Sequence, residues 1–132
     1  MFLQYYVTDS TTRNRVNIEI NAATKADLDA TRNGWQTVWN TDFILDPQKE
    51  KYAAKTEDGE IIALGAYRVR KGSVAVYIAY IESQPESNPT LVEHKKYSGI
   101  GKAMIAFGIQ LLQKRQFPRA TFDTAQRLNP IV

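Results

Sequence analysis

The stretch Lys96-Tyr97-Ser98-Gly99-Ile100-Gly101-Lys102-Ala103 sets two closely spaced glycines directly ahead of a long apolar segment with helical spacing. Glycine has no Cβ, so backbone N–H groups can converge there on a phosphate, and a helix opening near Ile100 turns the positive end of its dipole to the same point. The chemistry expected of such a stretch is capture of a phosphate-bearing ligand by main-chain nitrogen; otherwise the Gly99/Gly101 loop is a plain helix-entry turn. Two other phosphate loops do not fit. A Walker A loop needs glycine five positions before its Gly-Lys pair and Ser or Thr after it, where this chain has Lys96 and Ala103. A dinucleotide fingerprint needs a third glycine where Met104 stands, within a parallel strand-helix-strand unit.

The surrounding sequence indicates what positions this loop. Phe2–Val7 is rich in aromatic and β-branched residues and Val16-Asn17-Ile18-Glu19-Ile20 alternates cleanly, so both are predicted strands, joined by a polar turn from Thr8 to Arg15. Thr24 followed by Asp27 has the spacing of a capping box and predicts a short amphipathic helix through Leu28 to about Asn33-Gly34. Trp35, Val38, Trp39, Phe43, Ile44 and Leu45 form a dense apolar patch, either a broken helix or a loop over the core. A three-stranded meander is predicted next: Tyr52 to Lys55, a turn at Asp58-Gly59, Glu60 to Val69, a turn at Lys71-Gly72, and Ser73 to Ser83. Val74–Ile81 is apolar on both faces, which predicts a central strand covered on both sides. Glu82–Lys96, with Pro85 and Pro89, is a predicted loop. Ile100–Gln113 is a predicted helix with Ile100, Met104, Phe107, Gly108 and Leu111 on one stripe and Ile105 and Leu112 beside it. Ala120–Thr124 is a further predicted strand.

Bulk composition narrows the function classes. The 132 residues are 43% hydrophobic and 23% charged, the make-up of one globular domain with a real core. The chain has no cysteine and a single histidine, His94, which excludes a disulfide framework, a thiolate nucleophile and a histidine-based metal cluster. No apolar run approaches the ~20 residues of a membrane span and no leader pattern opens the chain, so a soluble, cytoplasmic protein is expected. The net charge of +3 is spread along the chain with no basic aromatic stripe, which argues against nucleic acid as a partner.

A Gly-x-Gly pair at a strand-loop-helix junction after an antiparallel meander resembles the GCN5-related N-acetyltransferase family, whose pyrophosphate loop runs Arg/Gln-x-x-Gly-x-Gly/Ala. Lys96 stands at the Arg/Gln position and keeps the positive charge, Gly99 and Gly101 fall on the motif glycines, and Ile100 on its apolar residue. Val16–Leu28 is similar to the family's opening strand and first helix, so residues 16–129 form the family-like region, preceded by an extra N-terminal strand and turn over 1–15. The resemblance implies a single α/β (α+β) domain of the acyl-CoA N-acyltransferase type: a mixed, mainly antiparallel central sheet flanked by helices. It also implies acetyl-coenzyme A as co-substrate, with no metal. Its pyrophosphate would lie on the backbone of Lys96, Ser98, Gly99, Ile100, Gly101 and Lys102, and its pantetheine arm on a splayed strand at Ile81 to Ser83. Glu82 then lies beside the acetyl group. A carboxylate there, desolvated at the end of an apolar strand, suits a general base that takes a proton from an ammonium substrate, directly or through water. Otherwise Glu82 opens a solvated loop with Glu86.

Other residues carry two readings each. Tyr80 is core or a second proton-transfer group, and His94 is a surface residue or a proton shuttle. Trp35 and Trp39 are core or a wall of the substrate groove; Lys95 and Lys102 attract the coenzyme's phosphates or face solvent. Ser83, Gln84, Glu86, Ser87 and Asn88 are placed to line the acceptor site. The family usually continues past this point with an Asn, a Tyr that protonates the thiolate, and closing strands. Asn129 echoes the Asn, but no tyrosine follows Tyr97. The expectation is a shortened relative whose exposed sheet edge is covered by Phe2–Val7 or by a second copy of the chain, as a homodimer. The function expected is transfer of acetyl to a primary amine, small-molecule or peptide. The alternative is a non-catalytic module that binds coenzyme A or a protein partner.

Overall fold

A computed structural model describes residues 4–32, 34–37, 39, 46–69 and 75–116. Within them lie β1 (Tyr5–Asp9), β2 (Arg15–Ala22), α1 (Lys25–Asp29), β3 (Glu50–Thr56), β4 (Ile61–Arg68), β5 (Tyr77–Ser83), β6 (Tyr97–Ser98) and α2 (Ile100–Gln116), with 3-10 turns at Ala30–Arg32 and Pro85–Ser87. The fold is α+β. One six-stranded sheet runs in the order β5-β4-β3-β2-β1-β6, and every pairing is antiparallel. No helix among the described residues is long and apolar enough to cross a membrane.

Much of this follows from local chemistry. The expected capping box at the start of α1 is present: the Asp27 amide donates to Thr24 Oγ1 at 3.1 Å and the Thr24 amide to Asp27 Oδ2 at 2.9 Å. The helix itself is shorter than the sequence predicts, ending at Asp29 and tightening into the 3-10 turn. The β3–β4 hairpin turns at Gly59, whose φ of +85° is open to glycine and costly for other residues. The α2 stripe is as predicted, with Ile100, Met104, Phe107 and Leu111 buried, whereas Ile105 is exposed.

Two layers cover the sheet. On one face α2 packs over β1, β4 and β5, burying Val7, Ile18, Ile62 and Tyr67 with its own stripe. Tyr67 lies between Gly65 of β4 and Gly108 of α2, and its hydroxyl donates to the Met104 carbonyl at 2.7 Å. A Cβ at Gly65 would stand 2.7 Å from Tyr67 Cε1, so this glycine makes room for the ring. On the other face Leu28, Trp39, Leu64 and Ala66 form a second cluster with Trp35 and Tyr80 against it.

Three features of the sheet bear on the expectations. First, β5 is an edge strand among the described residues, and β4 is the strand buried on both faces. Both segments are apolar, and only the pairing order separates a central strand from one whose second neighbour is missing. Second, β1 lies between β2 and β6, across the sheet from β5, so the N-terminal strand does not cover the β5 edge. Third, the pairings among the described strands are all antiparallel, and the further strand expected at Ala120–Thr124 lies outside the described residues. So do Asn129, the turn at Lys71-Gly72, and Phe2, Val38 and Phe43–Leu45.

Candidate functional site

The long segment between β5 and α2 crosses one end of the sheet and is held there by Glu60, which follows the β3–β4 turn. The Glu60 carboxylate accepts from Gln84 Nε2 at 2.8 Å, Lys96 Nζ at 2.9 Å and Tyr97 Oη at 3.1 Å. Partial burial alone would raise its pKa, but these three donors outweigh it and leave the carboxyl below its ordinary 4.5. The Lys96 ammonium is raised in turn, chiefly by its hydrogen bond to Glu60. The end of β5 and the lead-in to the glycine loop are therefore fixed to one residue. Sequence reasoning passed over Glu60, because its partners stand 24 to 37 positions away.

From this anchor the chain enters β6, where Ser98 pairs with Thr8, and then Gly99 at φ +90°. That left-handed residue turns the backbone straight into the 17-residue α2. Helix geometry leaves the first amides of α2, at Ile100, Gly101 and Lys102, without intrahelical acceptors, and they have no partner among the described residues. No atom lies within 4 Å of a Cβ built at Gly99 or Gly101. A cleft of about 620 Å³ opens beside the loop, between β1 and α2, lined among others by Val7, Thr8, Gly99, Lys102 and Ala103. The available donors run from Gly99 to Lys102. Lys96 and Ser98, expected to contribute amides, are otherwise engaged: the Lys96 amide donates to the Glu86 carbonyl at 2.9 Å and Ser98 belongs to the β1–β6 ladder.

β5 supplies a second set of backbone groups. The Gln84 amide donates to the Ile62 carbonyl, and Glu82 and Tyr80 stand opposite Leu64 and Ala66. Alternation along an antiparallel ladder then turns the N–H and C=O of Ile81 and Ser83 away from β4, toward the edge that has no partner strand among the described residues. Upstream, Ala79 is an extra residue between the pairs Ala66–Tyr80 and Tyr67–Ile78, and this bulge puts Ala79 and Tyr80 on the same face.

Glu82 is 4% exposed and points to the face opposite α2. Its Oε2 accepts from the Gln36 amide at 2.6 Å; its Oε1 accepts from the Thr37 amide at 3.2 Å and from Trp39 Nε1 at 2.9 Å. An ionised carboxylate has about four acceptor positions, so three of them are occupied. The reading of Glu82 as the start of a solvated loop is excluded by its burial. Tyr80 accepts a hydrogen bond from Thr37 Oγ1 at 2.6 Å and packs edge-on to Trp39, the centroids 5.6 Å apart. Trp39 is wholly buried; Trp35 is half-buried against the same cluster. Of the residues expected to line an acceptor site, Gln84, Ser87 and Asn88 are buried, with Ser87 Oγ donating to Gln84, Gln84 Nε2 to Glu60 and Asn88 Nδ2 to Gln36, and Glu86 is exposed. His94 and Lys95 are exposed on the crossing segment. Among the described residues no three His, Asp or Glu side chains gather as a metal site.

No protein-family model matches this chain, and no curated protein and no solved structure matches it at a significant level.

Proposed function

We propose that this domain binds acetyl-coenzyme A and transfers its acetyl group to a primary amine. The diphosphate would rest on the amides of Gly99, Ile100, Gly101 and Lys102, and the pantetheine arm would run along the outer edge of β5, pairing with the backbone of Ile81 and Ser83. The amine nitrogen attacks the thioester carbonyl, the C–N bond forms as the C–S bond breaks, and coenzyme A leaves as a thiolate that takes its proton from solvent. A backbone amide of the β5 edge polarises the carbonyl as charge develops on its oxygen. The proton lost by the ammonium group goes to water, or to the remaining acceptor position of Glu82.

The observation that carries this reading is the set of bonds from Glu60 to Gln84, which follows β5, and to Lys96 and Tyr97, which precede the glycine loop. Both backbone sets then lie at one end of the sheet, at its two opposite edges, a span for an elongated anionic thioester to bridge. A second reading, a coenzyme-binding module without turnover, is favoured by the three donors already on Glu82, which leave it little capacity as a base.

Titration calorimetry with acetyl-coenzyme A, followed by thiol release over a panel of amines, tests both readings. Gly101→Leu is the informative variant. Its side chain has open space, and it replaces a poor helix former, so the fold should gain up to about 1 kcal/mol while affinity falls about tenfold or more. Unchanged affinity in a stable Gly101→Leu protein dismisses the loop assignment. Binding without thiol release on any amine selects the module.

A further inference from the structure

Glu82 is a buried carboxylate whose partners among the described residues, Gln36, Thr37 and Trp39, lie in neither helix nor strand. We propose that Glu82 is a positioning residue: it latches residues 36, 37 and 39 onto β5 and thereby fixes an acceptor-side wall of Thr37 and Tyr80, backed by the buried Trp39. The assignment of that wall to an acceptor rests on the reading of the site as an acetyltransferase.

The physical case starts from mutual need. A carboxylate buried to this depth costs several kcal/mol unless its acceptors are filled. The Gln36 and Thr37 amides lie in irregular backbone and need acceptors of their own. The carboxylate answers both and adds the indole of Trp39, drawing together positions 43 to 46 residues apart. Hydrogen bonds to a charged group are worth more than neutral ones, so three on one carboxylate make the dominant polar attachment of this segment.

The attachment extends beyond Glu82. The Gln36 side chain donates to Thr90 Oγ1 at 2.8 Å and accepts from Asn88 Nδ2 at 3.0 Å; Asn88 in turn accepts from the amide and hydroxyl of Thr90. The latched segment therefore grips the crossing loop after β5, the same loop whose two ends Glu60 holds. The Thr37 hydroxyl donates a hydrogen bond to the Tyr80 oxygen, and Trp39 packs edge-on to the Tyr80 ring. The position of the Tyr80 hydroxyl thus depends on where Glu82 places residues 37 and 39.

Replacing Glu82 by glutamine separates a latch from a base. Glutamine keeps one acceptor oxygen and puts an NH2 donor where the other stood, facing an N–H group. Either the Gln36 bond or the Thr37 and Trp39 pair is lost. In a latch, the Trp39 indole N–H and the Gln36 and Thr37 amides of Glu82→Gln should exchange with solvent about tenfold faster or more, read by heteronuclear NMR without any ligand. The KM for the amine should rise about fivefold or more while that for acetyl-coenzyme A stays within about twofold. A base would behave otherwise, with exchange unchanged, kcat lowered at constant KM and the acid limb of the pH-rate profile removed; that result overturns the proposal. Should Glu82→Gln fail to fold, Trp39→Phe removes the indole donor together with part of the buried ring and leaves both carboxylate oxygens in place. Faster exchange at Gln36 and Thr37 in that variant supports the latch, and wild-type amides that exchange freely overturn it. Because the exchange measurement needs no coenzyme, failure of acetyl-coenzyme A to bind defeats the transferase reading and leaves the latch standing. Full protection in Glu82→Gln defeats the latch and leaves the coenzyme site standing.

Discussion

Glu60 and Glu82 divide the work of holding the site between them. Both are carboxylates filled by three donors, but Glu60 is partly exposed and ties the entry of the glycine loop, whereas Glu82 is buried and ties the opposite face. At Glu60 the ion pair with Lys96 contributes little by itself, since exposed pairs are worth about 0–1 kcal/mol. Its larger effect is geometric, because Gln84 and Tyr97 lose a shared acceptor when it is removed. Under the proposed function, Glu60→Ala is therefore expected to lower affinity for acetyl-coenzyme A about tenfold while costing only about 1–2 kcal/mol of stability. Calorimetry and urea unfolding of the same variant check this, and an affinity loss no greater than the stability loss explains would remove Glu60 as the anchor of the loop. Neither carboxylate's partners were legible in the sequence, where Glu60 opens a predicted strand and Glu82 follows an apolar run.

At the scale of elements, the depth of α2 against the sheet is set by Tyr67. Its ring fits between glycines 65 and 108, and its hydroxyl caps a helix carbonyl in the middle of α2. At the far end of α2, Arg115 forks onto the Glu50 carboxylate with Nη1 to Oε2 at 2.7 Å, placing a cation where the helix dipole favours one. An alanine at Gly65 has a higher strand propensity than glycine but would press its Cβ to 2.7 Å from Tyr67 and 2.9 Å from the Met104 terminal methyl. Since both neighbours are fully buried, overpacking wins, and Gly65→Ala should lose about 1–3 kcal/mol in urea unfolding. A stability change within the error of that measurement would mean that Tyr67 can move aside. The elements themselves were largely legible, because the signals are local: Asp58-Gly59 for the turn, Thr24 and Asp27 for the cap, and the three-and-four spacing of Ile100, Met104, Phe107 and Leu111 for α2.

At the scale of the whole molecule, three carboxylates report on acid stability. Asp27, Glu50 and Glu60 all carry folded pKa values below their ordinary 3.8, 4.5 and 4.5. In each, burial alone would raise the value, and the donors from Thr24 and Lys55, from Arg115 and Tyr52, and from Gln84, Lys96 and Tyr97 prevail. A depressed folded value means that the unfolded chain binds the proton first, so stability is full above the unfolded pKa and falls as pH drops through the folded one. The denaturation midpoint should therefore be flat on the neutral side of about pH 5 and decline steadily below it. Glu60→Gln should flatten part of that decline; an identical acid profile in the variant would show that Glu60 does not contribute to it. In the opposite direction, burial pushes the Tyr5 hydroxyl up to about 12, so it stays protonated, donating to Gln110, through the neutral range.

The sequence by itself determined what depends on neighbours a few residues apart: an α+β domain, a three-stranded meander, a glycine-opened helix and its buried stripe. Such features rest on backbone preferences and on the periods of helix and strand, which are written locally. Only the tertiary structure decided that β5 is an edge among the described strands, that β1 closes against β6 on the far side, and that Lys96 spends its amide on Glu86. It likewise decided that Glu82 is filled by a segment more than forty positions away. Strand order and the partners of a buried carboxylate are settled by which surfaces meet once the chain is folded, and a residue's type fixes how many hydrogen bonds it must make without saying from where they come.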